Sequence, residues 1–372
     1  MPAVYLSAPR LQSLDVFRGL TVAAMLLVNN PGSWEHIYPP LEHAAWNGWT
    51  PTDLVFPFFL FIVGVAIPFS LGRRLELGVA RSALIGRIVL RSLLIVLLGI
   101  LLNAIPHFDW ATLRLPGVLQ RIGVVYLLAA LIYLGTGWRG QLAVCALLLI
   151  GYWLAMTMIP VLGVGTGSLT IEANLAQYLD SRIFGTHMWR ATWDPEGLLS
   201  TVPAVGSALL GILAGSWLRT DRSGAEKPLG LFLVGGCGII AGMVWDHWFP
   251  INKNLWTSSY VLFTAGIAAQ LLGGLYAVVD LRGHRSWAGP FFVLGSNALL
   301  VFGLSGLLGR VLINLMVGSG SERMGLGGWI YTRIFVPWAG ALNGSLAYAV
   351  AMVLLFMLIL LVPYRRGWFL RF

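Results

Sequence analysis

The stretch TDLVFPFFLFIVGVAIPFSL, at residues 52–71, contains a single charged residue, Asp53, at its second position. A helix needs about 20 mostly apolar residues in succession to cross the hydrocarbon core of a bilayer. A surface helix of a soluble protein carries polar residues along one face, and this stretch does not. It therefore predicts a helix that crosses a membrane.

The composition extends this prediction to the whole chain. Its 372 residues are 58% hydrophobic and 10% charged, with a mean hydropathy of +0.80, whereas soluble domains have about 25% charged residues. The sequence predicts an all-α helical bundle that forms one domain over residues 1–372, with about ten transmembrane helices. They lie near residues 14–30, 52–71, 84–104, 116–135, 140–160, 198–218, 229–248, 257–279, 290–315 and 344–363.

Basic residues divide unequally between the two sets of loops that these helices would connect. One set contains the fourteen residues Arg10, Arg73, Arg74, Arg81, Arg87, Arg139, Arg219, Arg222, Lys227, Arg282, Arg285, Arg365, Arg366 and Arg371. The other contains the six residues Arg114, Arg182, Arg190, Lys253, Arg323 and Arg333. Cytoplasmic loops are enriched in Lys and Arg, so this division predicts that both termini are cytoplasmic. The same rule explains the net charge of +9, and we expect no nucleic-acid partner.

Five polar motifs interrupt the apolar pattern. They are RLQSLDVFRGL (10–20), VNNPGSWEHIYPPLEHAAWNGWTPTDL (28–54), LRLPGVLQRIGVVY (113–126), WDPEGLLST (193–201) and PINKNLWTSSY (250–260). In the first, Asp15 and Arg18 are three residues apart and share one helix face. A charge inside a membrane is costly, so two interpretations stay open: an ion pair that anchors the start of the helix, or a wall of a ligand channel.

The second motif contains two histidines, His36 and His43. Thr50, Pro51 and Asp53 fit the start of a helix, as N-cap, first-turn proline and capping-box acid. Each histidine is either a hydrated loop residue or a proton acceptor in catalysis, because histidine has an intrinsic pKa near 6.5. Both interpretations stay open on chemistry alone.

The remaining motifs combine helix starts with isolated charges. Pro116 opens a helix in which Arg121 lies about one turn inside, where it either extends to the outer headgroups or binds a buried anion. Asp194, followed by a proline, predicts the N-cap of another helix, which leaves Glu196 unexplained. Lys253 either anchors the chain at the membrane interface or belongs to a site.

Several common site motifs are absent from the sequence. It contains no P-loop, GxSxG, HExxH or CxxC motif. Cys145 and Cys237 lie in separate apolar runs, a pattern that predicts neither a disulfide framework nor a metal site. We therefore expect no metal cofactor.

Taken together, the motifs resemble those of the heparan-α-glucosaminide N-acetyltransferase family of transmembrane acyltransferases. The matching segments are RLQSLDVFRG, HAAWNGWTPTDLVFPFFLFIVG, RLPGVLQRIGVVY, DPEG, NKNLWTSSY and VVDLRGHRSWAGPFFVLGSNALLVF, in family order from about residue 10 to residue 302. The resemblance implies an enzyme that transfers an acetyl group from cytoplasmic acetyl-CoA to an amino sugar on the other side of the membrane.

The resemblance also implies roles for individual residues. His43, which begins the HAAWNG segment, would be the catalytic histidine, and Asn29, which ends the first helix, a catalytic-site asparagine. The predicted ligands of acetyl-CoA are Arg18, Gln120, Arg121, Lys253 and Asn254. The predicted substrate-binding residues are Asp53 and Glu196.

The resemblance leaves the acceptor and the route open. The loop between Asn29 and His43 differs from that of the animal enzyme, so we expect a glucosamine-type amino sugar at the outer face of a bacterial inner membrane. The imidazole either removes a proton within a ternary complex, which needs fewer steps, or first becomes an acetyl-imidazole. A sugar transporter without acyl-transfer chemistry is the alternative function. A homo-oligomer is compatible with the sequence.

The division of basic residues predicts that residue 40 faces the outside and residue 224 the cytoplasm. Single cysteines, introduced as Pro40→Cys and Gly224→Cys into a chain without Cys145 and Cys237, can be tested on intact cells with a membrane-impermeant maleimide. The cysteine at residue 40 should react and the one at residue 224 should not. Labelling of residue 224 alone would show that the chain has the opposite orientation in the membrane.

Overall fold

A computed structural model describes residues 11–190, 192–320 and 323–369. Its α-helices are α1 (Gln12–Asn29), α2 (Val55–Ile67), α3 (Arg73–Glu76), α4 (Arg81–Ala104), α5 (Val118–Gly135), α6 (Trp138–Met158), α7 (Leu175–Phe184), α8 (Leu198–Leu218), α9 (Glu226–Trp245), α10 (Ser258–Leu275), α11 (Gly289–Ser296), α12 (Ala298–Asn314), α13 (Leu326–Ile330) and α14 (Val336–Arg365). Shorter helical segments are the 3-10 turns Pro39–Leu41 and Pro51–Leu54 and the π-helical turns Pro68–Gly72, Tyr276–Leu281 and Tyr331–Phe335. Two-residue strands β1 (Met316–Val317) and β2 (Met324–Gly325) form an antiparallel pair. The predicted all-α class is confirmed.

The described residues contain eight helices that are long and apolar enough to cross a membrane, or nine if the bent pair α11–α12 counts as one span. All ten predicted segments are helical, but α1 is not among the eight, because Asp15 and Arg18 lower its hydropathy. That α1 crosses the membrane, and that both termini are cytoplasmic, stay predictions. Arg10 and Arg371, which entered the topology prediction, lie outside the described residues.

The helix predicted over residues 290–315 is interrupted. The chain leaves the helical conformation at Asn297 (φ −133°, ψ 45°), and α11 and α12 are bent by 78° there. The side-chain amide of Asn297 donates to the carbonyl oxygen of Trp368 at 3.0 Å. Asparagine side chains that bond to backbone groups compete with helical hydrogen bonding, and this contact with a distant residue is not visible in the local sequence.

The helix that carries the Asp15–Arg18 pair lies inside the bundle. The side chains of Val16, Phe17 and Leu26 are fully buried, and α1 packs against α2, α10, α11 and α14. By contrast, less than a third of the spanning windows of α4, α6 and α9 is buried, which leaves their apolar faces for lipid. The neighbouring helices therefore shield α1 from lipid, and this lowers the cost of its charges.

Glycines bring the backbones of α2 and α8 into contact. A Cβ atom added at Gly64 would lie 2.0 Å from the carbonyl oxygen of Ala208, and one added at Gly211 would lie 2.2 Å from a carbonyl oxygen of α2. Small residues permit this close approach of membrane helices. Because Asp53 shortly precedes α2 and Glu196 shortly precedes α8, the contact fixes the spacing of two segments that carry predicted site residues.

Replacement of Gly64 tests this contact. Gly64→Ala must push α2 away from α8, and overpacking of this kind destabilises a protein by about 1–3 kcal/mol. The thermal unfolding midpoint in detergent should therefore fall. Gly86→Ala on α4 is the matched control, because an added Cβ there meets nothing within 4 Å, and its midpoint should stay unchanged or rise. Equal midpoints for the two variants would contradict the close packing of α2 and α8.

Candidate active site

His43 is held by a buried carboxylate. Its Nδ1 lies 2.7 Å from Oδ1 of Asp53. The histidine side chain is 47% exposed, whereas that of Asp53 is 1% exposed. A carboxylate accepts hydrogen bonds, so in the neutral ring Nδ1 carries the proton and Nε2 has the free lone pair. The exposed edge of the ring is thus chemically suited to accept a proton.

The same carboxylate organises the surrounding loop. Oδ2 of Asp53 accepts hydrogen bonds from the backbone N–H groups of Ala44 and Thr50, both at 3.0 Å. The capping box predicted for Thr50 and Asp53 is confirmed, with Pro51 at the start of the turn. The Tyr260 hydroxyl of α10 donates to the carbonyl oxygen of Asp53. One residue therefore joins the start of a helix, the histidine loop and α10.

Lys253 lies against the imidazole ring. Its Nζ is 3.0 Å from Nδ1 and 3.2 Å from Nε2 of His43, and 3.6 Å from Oδ1 of Asp53. Because Nζ is almost equally far from the two ring nitrogens, it lies over the ring and leaves the in-plane lone pair of Nε2 open. Burial lowers the pKa of Lys253, and the charges of Asp53 and Glu196 offset part of this effect. Lys253, a predicted ligand of acetyl-CoA, thus contacts the predicted catalytic histidine.

A second group of charges surrounds Arg114. Its guanidinium donates to both carboxylate oxygens of Asp194, at 2.8 and 2.6 Å, and to Glu196. Burial acts to lower the pKa of Arg114, but the hydrogen bonds and charges of these two acids outweigh it, so the pKa lies above its ordinary value. Glu196, a predicted substrate-binding residue, is therefore paired within the protein.

The predicted N-cap role of Asp194 is wrong. Helix α8 begins four residues later, after Gly197, because the Asp194 carboxylate bonds to Arg114, a residue 80 positions away. The backbone N–H of Leu198 instead donates to Oδ1 of Asp180 in α7 at 2.8 Å. Burial raises the pKa of Asp180 to about 6. Sequence reasoning missed Asp180 and used Arg114 only for the topology, since neither residue has a local partner.

Arg121 lies in the interior, so it does not extend to the headgroups. It is 2% exposed, and its Nη2 donates to Ser200 and to the carbonyl oxygen of Gly197. Its guanidinium stacks over the ring of Trp256 at 5.1 Å. Among the described residues, its Nε and Nη1 and the nearby Nε2 of Gln120 are buried without a hydrogen-bond partner. Buried donors of this kind are costly unless a water or ligand satisfies them, which suits the predicted role of both residues in binding a carbonyl or anionic group.

A narrow cleft lies beside these charges. Its walls include Trp46, Trp193, Gln177, Asp180 and Asn254. The two indole rings meet edge to face with centroids 5.9 Å apart, and Oε1 of Gln177 is buried without a hydrogen-bond partner among the described residues. Indole faces and mixed amide and carboxylate groups are chemically suited to the C–H faces and hydroxyls of a sugar. Asn254, a predicted ligand of acetyl-CoA, lines this cleft next to Lys253.

Three predicted or candidate residues make no described hydrogen bond to the His43 cluster. Asn29 is the exposed last residue of α1, and no described hydrogen bond joins it to His43. Arg18, paired with Asp15 at 3.2 Å, precedes Asn29 by eleven residues, which is roughly 16 Å along the helix axis. His36 lies 3.4 Å from the hydroxyl of Ser33. Arg18 therefore lies about three helical turns from the end of α1, whereas Lys253, another predicted ligand of acetyl-CoA, contacts His43.

No metal centre accompanies these groups in the part of the chain that the structure describes. Within it, no three or more His, Cys, Asp and Glu side chains are arranged so that they could hold a metal ion. The polar groups near His43 are instead carboxylates paired with cations, and amide and guanidinium donors.

Comparison with known proteins gives consistent matches. A family model described as heparan-alpha-glucosaminide N-acetyltransferase, catalytic, matches residues 10–229. The chain is similar to human heparan-alpha-glucosaminide N-acetyltransferase, with 33% identity over 79% of this chain and 52% of the relative. The mouse protein of the same name is 32% identical over 80% of this chain and 53% of the relative. The chain thus spans about half the length of the curated relatives that it matches.

Proposed function

The chain belongs to the heparan-α-glucosaminide N-acetyltransferase family, and we propose that it is a transmembrane N-acetyltransferase. It moves an acetyl group from cytoplasmic acetyl-CoA to the amine of a glucosamine-type sugar at the outer face of a bacterial inner membrane. The observation that carries this proposal is the pairing of His43 with Asp53 at 2.7 Å, which leaves the exposed Nε2 as a base within the segment that matches the family.

The reaction is aminolysis of a thioester. The sugar ammonium first loses one proton to solvent, and the neutral amine attacks the carbonyl carbon. As the C–N bond forms, Nε2 of His43 takes a second proton from the nitrogen, and the imidazolium is stabilised by Asp53. When the C–S bond breaks, that proton goes to the departing sulfur of CoA. This direct route needs one tetrahedral intermediate, whereas an acetyl-imidazole route needs two.

The tetrahedral oxyanion requires hydrogen-bond donors. The predicted donor is the side-chain amide of Asn29, which lies exposed at the end of α1. Gln120 and Arg121 supply further donors, since three of their side-chain nitrogen atoms are buried without a hydrogen-bond partner among the described residues. Donors that are fixed before the reaction stabilise charge most where water is excluded. We assign Gln120 and Arg121 to the acyl end of acetyl-CoA and Arg18 to its more cytoplasmic part.

We place the acceptor sugar at the mouth of the narrow cleft that Trp46 and Asn254 line. Trp46 follows His43 by three residues, and Asn254 follows Lys253 directly, so a sugar packed against the partly exposed indole of Trp46 would present its amine towards the imidazole. Glu196, paired with Arg114, adds negative charge that favours an ammonium group. The predicted contribution of Asp53 to substrate binding then acts through His43, since its carboxylate is buried.

Replacement of His43 tests the proposed function. His43→Ala should lower the transfer rate by roughly 10²–10⁴-fold, the usual contribution of a general base, with unchanged thermal stability. Asn29→Ala should lower it by about 10²–10³-fold through the loss of an oxyanion donor. The measurement is mass spectrometry of glucosamine incubated with isotopically labelled acetyl-CoA and purified protein, at saturating acetyl-CoA.

His36→Ala is the matched control and should have a mild effect, because His36 lies outside the matching segment. Loss of transfer in His36→Ala with normal turnover in His43→Ala would show that His36, and not His43, is the catalytic histidine. Full activity in both would exclude a histidine mechanism. Uptake of glucosamine into proteoliposomes without any acetylated product would favour the transporter.

A further inference from the structure

We propose that Lys253 is a positioning residue whose ammonium group keeps Nε2 of His43 unprotonated in the resting enzyme. The proposal rests on the proposed function only in taking His43 as the base. The resemblance of the sequence motifs implies a different role for Lys253, as a ligand of acetyl-CoA, and the two roles have different consequences that an experiment can separate.

The proposal rests on the positions of Asp53 and Lys253 around the imidazole ring of His43. Asp53 occupies Nδ1–H at 2.7 Å, and a carboxylate at that distance favours the imidazolium form of a histidine. A base that is already protonated cannot accept a proton from the amine. The Lys253 ammonium lies 3.2 Å from Nε2, where an imidazolium would bring two positive charges together. The lysine therefore opposes the effect of Asp53 on the ring.

Charged groups from several elements keep the lysine in place. Asp53, just before α2, and Glu196, just before α8, attract its ammonium, whereas Arg121 of α5 repels it. Burial also disfavours the charged form, so the pKa of Lys253 is lowered. The side chain is 18% exposed, which limits its alternative positions. Two nearby carboxylates thus sustain a cation beside the imidazole.

The same position suggests how the site responds to its acceptor. In the resting state the ammonium of Lys253 lies over the imidazole ring, so it must move aside when the ring accepts a proton from the amine. Oδ1 of Asp53 lies 3.6 Å from Nζ and can hold the displaced ammonium. The lysine then continues to balance the charge of Asp53 while Nε2 contacts the amine.

The pH dependence of transfer tests the proposal. In Lys253→Met and Lys253→Gln the acid limb of kcat/KM for glucosamine should move up by about 1–2 pH units, because a like charge within a few ångström has an effect of that size. Lys253→Arg keeps the positive charge, so the acid limb of kcat/KM should stay at the pH of the unmodified enzyme. Lys227→Met is the matched control, since Lys227 is the other lysine of the chain and lies in the first turn of α9; its limb should not move.

A second measurement does not need turnover. Carbethoxylation of His43 by diethyl pyrocarbonate, followed by peptide mass spectrometry across the pH range, reports the protonation of the imidazole directly. Its midpoint should move upwards in Lys253→Met and Lys253→Gln even if the natural acceptor is not glucosamine, so failure of this inference and failure of the proposed function are distinguishable. An unmoved midpoint in both neutral variants would overturn the proposal. A raised KM for acetyl-CoA with an unmoved acid limb would overturn it in favour of a cofactor contact.

Discussion

The carboxylate of Asp53 is the constraint on which the site depends. It is buried at the start of a membrane helix, where an unpaired charge would be costly, and the structure gives it partners on all sides. Its two oxygens accept from the His43 ring and from the backbone of the loop, with Lys253 nearby. Removal of this charge would release the loop, the histidine and the lysine together, because each is held through the same group.

The packed helices fix the positions of the loops that carry the reactive side chains. Backbone contact between α2 and α8 at Gly64 and Gly211 fixes the segments that lead into these helices. The ion pairs of Arg114 tie the third of the polar motifs to the fourth. Arg121 joins the start of α5 to that of α8 and retains unpaired donors. In the described part of the chain the charges near His43 are thus mostly paired, whereas Gln120, Arg121 and Gln177 retain groups that a thioester or a sugar can use.

The sequence predicts the local features well, because apolar length and helix caps are local signals. All ten helical segments and the Thr50–Asp53 capping box follow from such signals. The sequence predicts Asp53 as a capping-box acid and as a substrate-binding residue, and in the structure the same carboxylate caps the turn and binds His43. Contacts between distant residues could not be predicted. Lys253 meets His43 across 210 residues, and Asp194 bonds to Arg114 instead of capping α8. The break at Asn297 also depends on a remote carbonyl group.

In the proposed reaction, one site joins a donor and an acceptor on opposite sides of a membrane. Sealed proteoliposomes that contain the purified protein in one orientation test this arrangement. Acetyl-CoA with an isotopically labelled acetyl group is supplied only at the side of residue 224, and glucosamine only at the side of residue 40. We expect labelled N-acetylglucosamine on the glucosamine side and free CoA thiol on the other. Product that forms only when both substrates are on the same side would contradict it.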